Sequence, residues 1–153
     1  ILPVVPLGSG LIHGAFNFLI LLGALTWTGN LHSQALLFPI LLLPVLMLAL
    51  SLSWFVGALG VFIKDMTQIV PVAVQMLMFL SPVFYPASAV PASLRPFYTV
   101  NPVGTVIEAA RAAISGQPIE WHSWSAALVG CLVAGILGYL FFQQCRQEFA
   151  DVL

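Results

Sequence analysis

Residues 81–117 read SPVFYPASAVPASLRPFYTVNPVGTVIEAARAAISGQ, and this stretch interrupts an otherwise lipid-like chain. Pro82, Pro86, Pro91, Pro96 and Pro102 lie in it, with Arg95 and Arg111, two of the four basic residues. Asn101-Pro102 is a helix start, with Asn at the cap and Pro in the first helical position. Gly116, followed by Gln117-Pro118, is a stop. The helix between them spans about 21 Å, too short to cross a hydrocarbon core of about 30 Å. Glu108 and Arg111 stand three apart on it and can pair. It reads as an amphipathic helix lying in the interface or dipping into the membrane, with a plain surface connector as the bland alternative. Pro91 opens a shorter segment ending near Thr99.

Outward from that stretch the composition decides the class. The chain of 153 residues is 61% hydrophobic and 6% charged, with mean hydropathy +1.07. Soluble domains are about 25% charged, so this composition predicts an all-α integral membrane protein. Lys64, Arg95, Arg111 and Arg146 are scattered singly, which leaves no basic patch for nucleic acid. The chain begins with Ile1, without a charged leader or small-residue cleavage site, and reads as a fragment of a longer protein.

Four segments are long and apolar enough to be spans: residues 4–27, 36–63, 69–85 and 124–142. His13 and Asn17 lie one turn apart on the first. They predict an interhelical hydrogen bond or the lining of a polar path. Residues 28–34 (TGNLHSQ) form a polar turn beside an interfacial Trp27. Pro39 and Pro44 kink or break the second span. Ser51, Ser53, Gly57 and Gly60 offer close helix approach, and Trp54 and Phe55 read as packing residues. Lys64-Asp65 marks a water-facing loop. The third span is expected to carry Pro71 in its first turn and to stop at Pro82. Trp121 and Trp124 read as belt anchors before the last span. Along that span Gly130, Ala134 and Gly138 recur every four residues, a stripe that favours close packing on this chain or another. Cys131 and Cys145 would lie about 21 Å apart on one helix, too far for a disulfide.

Catalytic motifs do not assemble. The sole lysine, Lys64, does not complete a P-loop. His13, His32 and His122 are too scattered for zinc. No nucleophile elbow occurs, and the carboxylate of Glu108 has Arg111 as a nearer partner than Glu120. An enzyme is therefore not expected. Transport and a structural membrane role both remain open. Phe79, Phe84 and Tyr85, with Phe97 and Tyr98, form an aromatic group suited to sugar rings or apolar chains, or to an interfacial belt.

Three blocks carry a family resemblance: GVFIKDMTQIVPVAVQ (60–75), LSPVFYPASAVPASLRPFYTVNPVGTVIEAARAAISG (80–116) and the tail QEFADVL (147–153). Through them the chain resembles the membrane subunit of type-2 ABC exporters, the branch exporting lipid-linked polysaccharide such as O-antigen or capsule. The resemblance implies the C-terminal part of one transmembrane domain over residues 1–153, with the last four of six spans. Two short extracytoplasmic, gate-like helices, 91–99 and 102–115, would lie between the last two spans. It implies a permease without its own ATPase site, working as a homodimer with a separate nucleotide-binding subunit that carries ATP and magnesium. The bacterial cytoplasmic (inner) membrane is the implied location. Lys64 and Asp65 would sit at the coupling loop, although the family often has more basic residues before that aspartate. Pro82, Pro86, Pro91, Asn101, Pro102, Glu108 and Arg111 would belong to the periplasmic gate. Phe79, Phe84 and Tyr85 would be candidates for the substrate path. A drug or small-molecule exporter of the same superfamily is the nearest alternative, and a non-transporting structural protein the next.

Overall fold

The architecture follows from apolar stretches that must satisfy their own backbone, which in lipid leaves the helix as the local solution. A computed structural model describes residues 4–63, 65–81 and 101–152. Helix α1 covers Val4–Trp27, and after a turn a 3-10 segment covers Ser33–Leu37. Then come α2 (Phe38–Leu41), α3 (Leu43–Phe62), α4 (Met66–Leu80), α5 (Pro102–Ser115) and α6 (Trp121–Val152). The described residues form helices and turns, without strands. Three stretches among them are long and apolar enough to cross a membrane: Leu7–Trp27, Ser33–Phe62 and Trp121–Cys145.

The frame is the parallel pairing of α3 with α6, whose contacts advance together from Ser51–Ala134 through Trp54–Tyr139 to Phe55–Phe141. Its closest approach is set by Gly138. A β-carbon there would lie 2.8 Å from the Ser51 carbonyl oxygen. Just beside it the Ser51 hydroxyl donates to the Ala134 carbonyl at 2.7 Å. The small-residue stripe of the last span thus packs on this chain, at Ala134 and Gly138, while Gly130 faces open space. On α3 Ser51 plays the predicted part, whereas among the described residues Gly57 and Gly60 have no neighbour where a side chain would project. Trp54 meets Tyr139 edge-on at 5.3 Å and Phe55 leans on Phe141 at 5.1 Å, so both tryptophan and phenylalanine pack as expected.

Proline shapes the second span. Pro39 and Pro44 occupy the first turns of α2 and α3, and the helix breaks between them at Leu42. The missing proline N–H groups cost nothing at those positions. In α4 the expectation fails. The helix starts at Met66, so Pro71 lies in its interior. Thr67 offers the carbonyl that a residue 71 amide would have taken. As described, α4 has 15 residues, about 22 Å, and the 82–85 part of the expected span lies outside the described residues.

Two further expectations are corrected. Trp124 is not a belt residue: it is buried, and its indole N–H donates to the Leu41 carbonyl at 3.1 Å. That carbonyl lies at the α2–α3 break. Trp121 stays half-exposed and packs edge-on against Trp124 at 5.7 Å. His13 and Asn17 are exposed on α1 and make no interhelical hydrogen bond among the described residues. Helix α1 touches the rest lightly, against α3 and where Phe18 stacks on Phe38 at 4.9 Å. Its Ile12, Phe16, Leu19 and Ile20 face outward, an apolar surface suited to lipid or another helix and not to water. Both cysteines are free, Cys131 buried and Cys145 half-buried.

Candidate functional site

Helix α5 is the short helix foreseen between Asn101 and Gly116, and its ends are built as the sequence indicates. Asn101 is extended, and its side-chain carbonyl accepts from the Val103 amide at 3.0 Å. Pro102 takes the first helical position. At the other end Gly116 adopts φ 68°, and the Gly116 and Gln117 amides both donate to the Ala112 carbonyl. Glycine is required there twice over. The left-handed conformation penalises a side chain, and a β-carbon would meet the His32 ring, 2.7 Å from Nε2. The ring itself is set by a 3.0 Å hydrogen bond between Nδ1 and the Asn30 carbonyl.

The helix docks on its neighbours along one face. Gly104, Val106, Ala109, Ala110 and Ala113 are buried. Val106, Ala109 and Ala113 join Leu41 and Trp124 in one core, flanked by Leu37, Leu42, Val45, Ile119 and Leu128. Alanine at three of these positions lets the helix come close to α2, the 3-10 segment and the start of α6. The charged pair lies off this face. Arg111 donates to Glu108 Oε1 at 2.7 Å, with both side chains half-exposed. An open cleft of about 490 Å³ runs along the seam of α3, α5 and α6, past Leu48, Thr105, His122 and Cys131.

The start of α5 sits against the end of α4. Ser81 is completely buried, and its hydroxyl donates to the Leu77 carbonyl at 2.8 Å. The Asn101 side-chain NH2 donates to that same hydroxyl at 3.2 Å. In the sequence Ser81 is simply the residue before Pro82. No periodicity links it to Asn101, twenty positions on, so the contact was not foreseeable from spacing.

The other predicted residues do not gather here. Asp65 is exposed at the N-terminus of α4 and makes no side-chain cap, while its carbonyl accepts from Gln68 and Ile69. Phe79 is largely exposed on α4. Lys64, Pro82, Phe84, Tyr85, Pro86 and Pro91 lie outside the described residues, as does the expected 91–99 helix. Among the described residues no group of three metal-ligating side chains occurs.

Three stretches long and apolar enough to cross a membrane define a multi-pass membrane protein, and a capped helix docked among them marks it as more than a set of spans. The family model for the ABC-2 type transporter matches residues 4–115, and the chain belongs to that family. It is also similar to the O-antigen export system permease protein RfbA of Klebsiella pneumoniae, with 20% identity over 115 residues. That match covers 75% of this chain and 44% of the relative, so the chain spans less than half of the relative's length. No solved structure matches. Family membership implies a membrane location.

Proposed function

We propose that this chain is permease sequence from an ATP-driven exporter of lipid-linked polysaccharide, with α5 as part of the outer gate. The observation that carries the reading is α5 itself: a helix too short to cross, capped at both ends and docked on spanning helices. The distant likeness to an O-antigen permease supports polysaccharide as the cargo class. A hydrated polymer cannot enter hydrocarbon without leaving polar groups unsatisfied. Export therefore needs a path lined by protein, and two copies of the permease facing one another would supply it. Chemical work falls to a nucleotide-binding subunit carrying ATP and magnesium. Lys64 and Asp65, between α3 and α4, are the residues we assign to its docking. Asn101, Pro102, Glu108 and Arg111 on α5 belong to the gate in this reading, as do Pro82, Pro86 and Pro91. Phe79, Phe84 and Tyr85 border the path. The cytoplasmic membrane of a bacterium is the setting.

The test is genetic and chemical. Deleting the full-length gene should abolish surface polysaccharide while its lipid-linked precursor accumulates inside, and the plasmid-borne gene should restore export. Asn101→Ala or Pro102→Gly in the complementing copy should lower export at unchanged protein level. Normal surface polymer in the deletion strain would remove polysaccharide as the cargo. A small-molecule exporter of the same family would then show itself as drug sensitivity in that strain.

A further inference from the structure

We propose that Ser81 is a positioning residue that fastens the end of α4 to the docked helix α5 through the side chain of Asn101; this rests on the export reading above. Pro82 is the origin of the arrangement. A residue before proline is pushed out of helical geometry, and Ser81 is extended, at φ −95° and ψ 143°. Its side chain folds back to give the Leu77 carbonyl a donor, one of the carbonyls that a helix end leaves unpaired. The oxygen then accepts from Asn101 Nδ2. On the far side of the same amide, Oδ1 holds the Val103 N–H, one of the amides left unpaired at a helix start.

Two side chains thus satisfy the end of one helix and the beginning of the next in a single series: Val103 N–H to Asn101, Asn101 to Ser81, Ser81 to Leu77. The amide orientation is fixed by this series, because Oδ1 must face the Val103 donor. Ser81 is fully buried, so parting the two helices would strip its oxygen of a partner with no water at hand. Helix α5 is held by its own core, whereas α4 packs on α3. The tie therefore anchors the end of α4 to the α3–α5–α6 block. A local reading of either residue, as a helix stop or as a helix cap, misses this second role.

Asn101→Asp separates the two roles. A carboxylate caps a helix start well but has no proton to give Ser81. The experiment uses the full-length permease with its ATPase, and its first readout is polysaccharide exported per ATP hydrolysed. Ser81→Ala and Asn101→Asp should each lower that ratio by about threefold or more, the scale of one lost buried hydrogen bond. The double variant should be no worse than either single one, and Ser81→Thr should restore the ratio. Loss of fold alone would lower protein level and ATP hydrolysis together and leave the ratio unmoved. A wild-type ratio in either single variant, or a double variant showing the product of the two losses, would overturn the proposal. The second readout needs no cargo: amide hydrogen exchange of the protein in lipid nanodiscs. Amides at 78–81 should exchange about threefold to tenfold faster in both variants, while the first turn of α5 stays protected in Asn101→Asp. Unchanged exchange at 78–81 would overturn the tie even if the wild-type protein exports no polysaccharide, whereas faster exchange there would uphold the tie and leave only the cargo assignment to fall.

Discussion

The α3–α6 seam can be tested with two glycines of the same stripe. Gly138→Ala places a β-carbon 2.8 Å from the Ser51 carbonyl oxygen and 3.1 Å from its hydroxyl oxygen. The nearer atom is backbone, so no side chain can swing aside. The helices must separate by several tenths of an ångström or more to restore ordinary contact, and overpacking of this kind costs about 1–3 kcal/mol. Separation also stretches the Ser51–Ala134 hydrogen bond, at 2.7 Å. Interhelical hydrogen bonds in membranes average about 0.6 kcal/mol. Gly130→Ala is the control. It lies two turns away on the same helix and stripe, and its β-carbon would meet nothing within 4 Å. Both substitutions gain the same helix propensity, about 1 kcal/mol, which cancels in the comparison. In chemical unfolding in detergent the full-length protein should therefore be less stable as Gly138→Ala than as Gly130→Ala, by about 1–4 kcal/mol on the two costs above. Equal stabilities of the two variants would refute the close approach at Ser51.

Three further outcomes follow from particular contacts. Trp124→Phe keeps the ring but removes the donor to the Leu41 carbonyl, and should lower stability by about 1–2 kcal/mol in chemical unfolding; a neutral result would mean that the carbonyl finds another donor. Gly116→Ala should cost about 1–2 kcal/mol from the left-handed backbone alone, with a further loss from the His32 ring. Adding His32→Ala should recover only that further part, and full recovery would show that backbone strain is absent. Pro71→Ala should give the Thr67 carbonyl a donor and slow amide exchange near the start of α4, and unchanged exchange there would argue against an interrupted helix.

How far the sequence speaks depends on whether a signal is local. Asn101-Pro102 and Gly116 marked the ends of α5 because caps act through backbone groups one to four residues away. The Glu108–Arg111 pair was legible for the same reason. The membrane class was legible because lipid requires a composition, not a specific contact. Pro71 was misplaced because a proline suits a first helical turn by local rule, yet Met66 to Val70 already follow helical geometry ahead of it. Trp124 was misread because an indole at the edge of an apolar run serves equally as a belt residue or as a buried donor. Only the break at Leu42, brought near by the fold, decides between them. Ser81 carries no pattern at all: its partner lies twenty positions further along the chain.

These contacts distribute stiffness unevenly, and that bears on how a gate at this end of the protein could work. Helix α5 buries Val106 among Leu41, Ala113 and Trp124, and a buried valine alone is worth about 1.5–3 kcal/mol. Lifting α5 as a flap would forfeit that burial and the packing of three alanines with it. A moving leaf is better sought where the structure is softer. Helix α4 meets that requirement: it packs on α3, lacks one internal hydrogen bond at Pro71 and carries largely exposed side chains between Pro71 and Phe79. With its end tied at Ser81 and its start beside the Lys64-Asp65 loop, a push at the loop is absorbed first at Pro71, since a helix bends where its ladder is interrupted. In the export reading, α5 is then the fixed frame of the outer mouth and α4 the element whose bending opens or closes the path beside it.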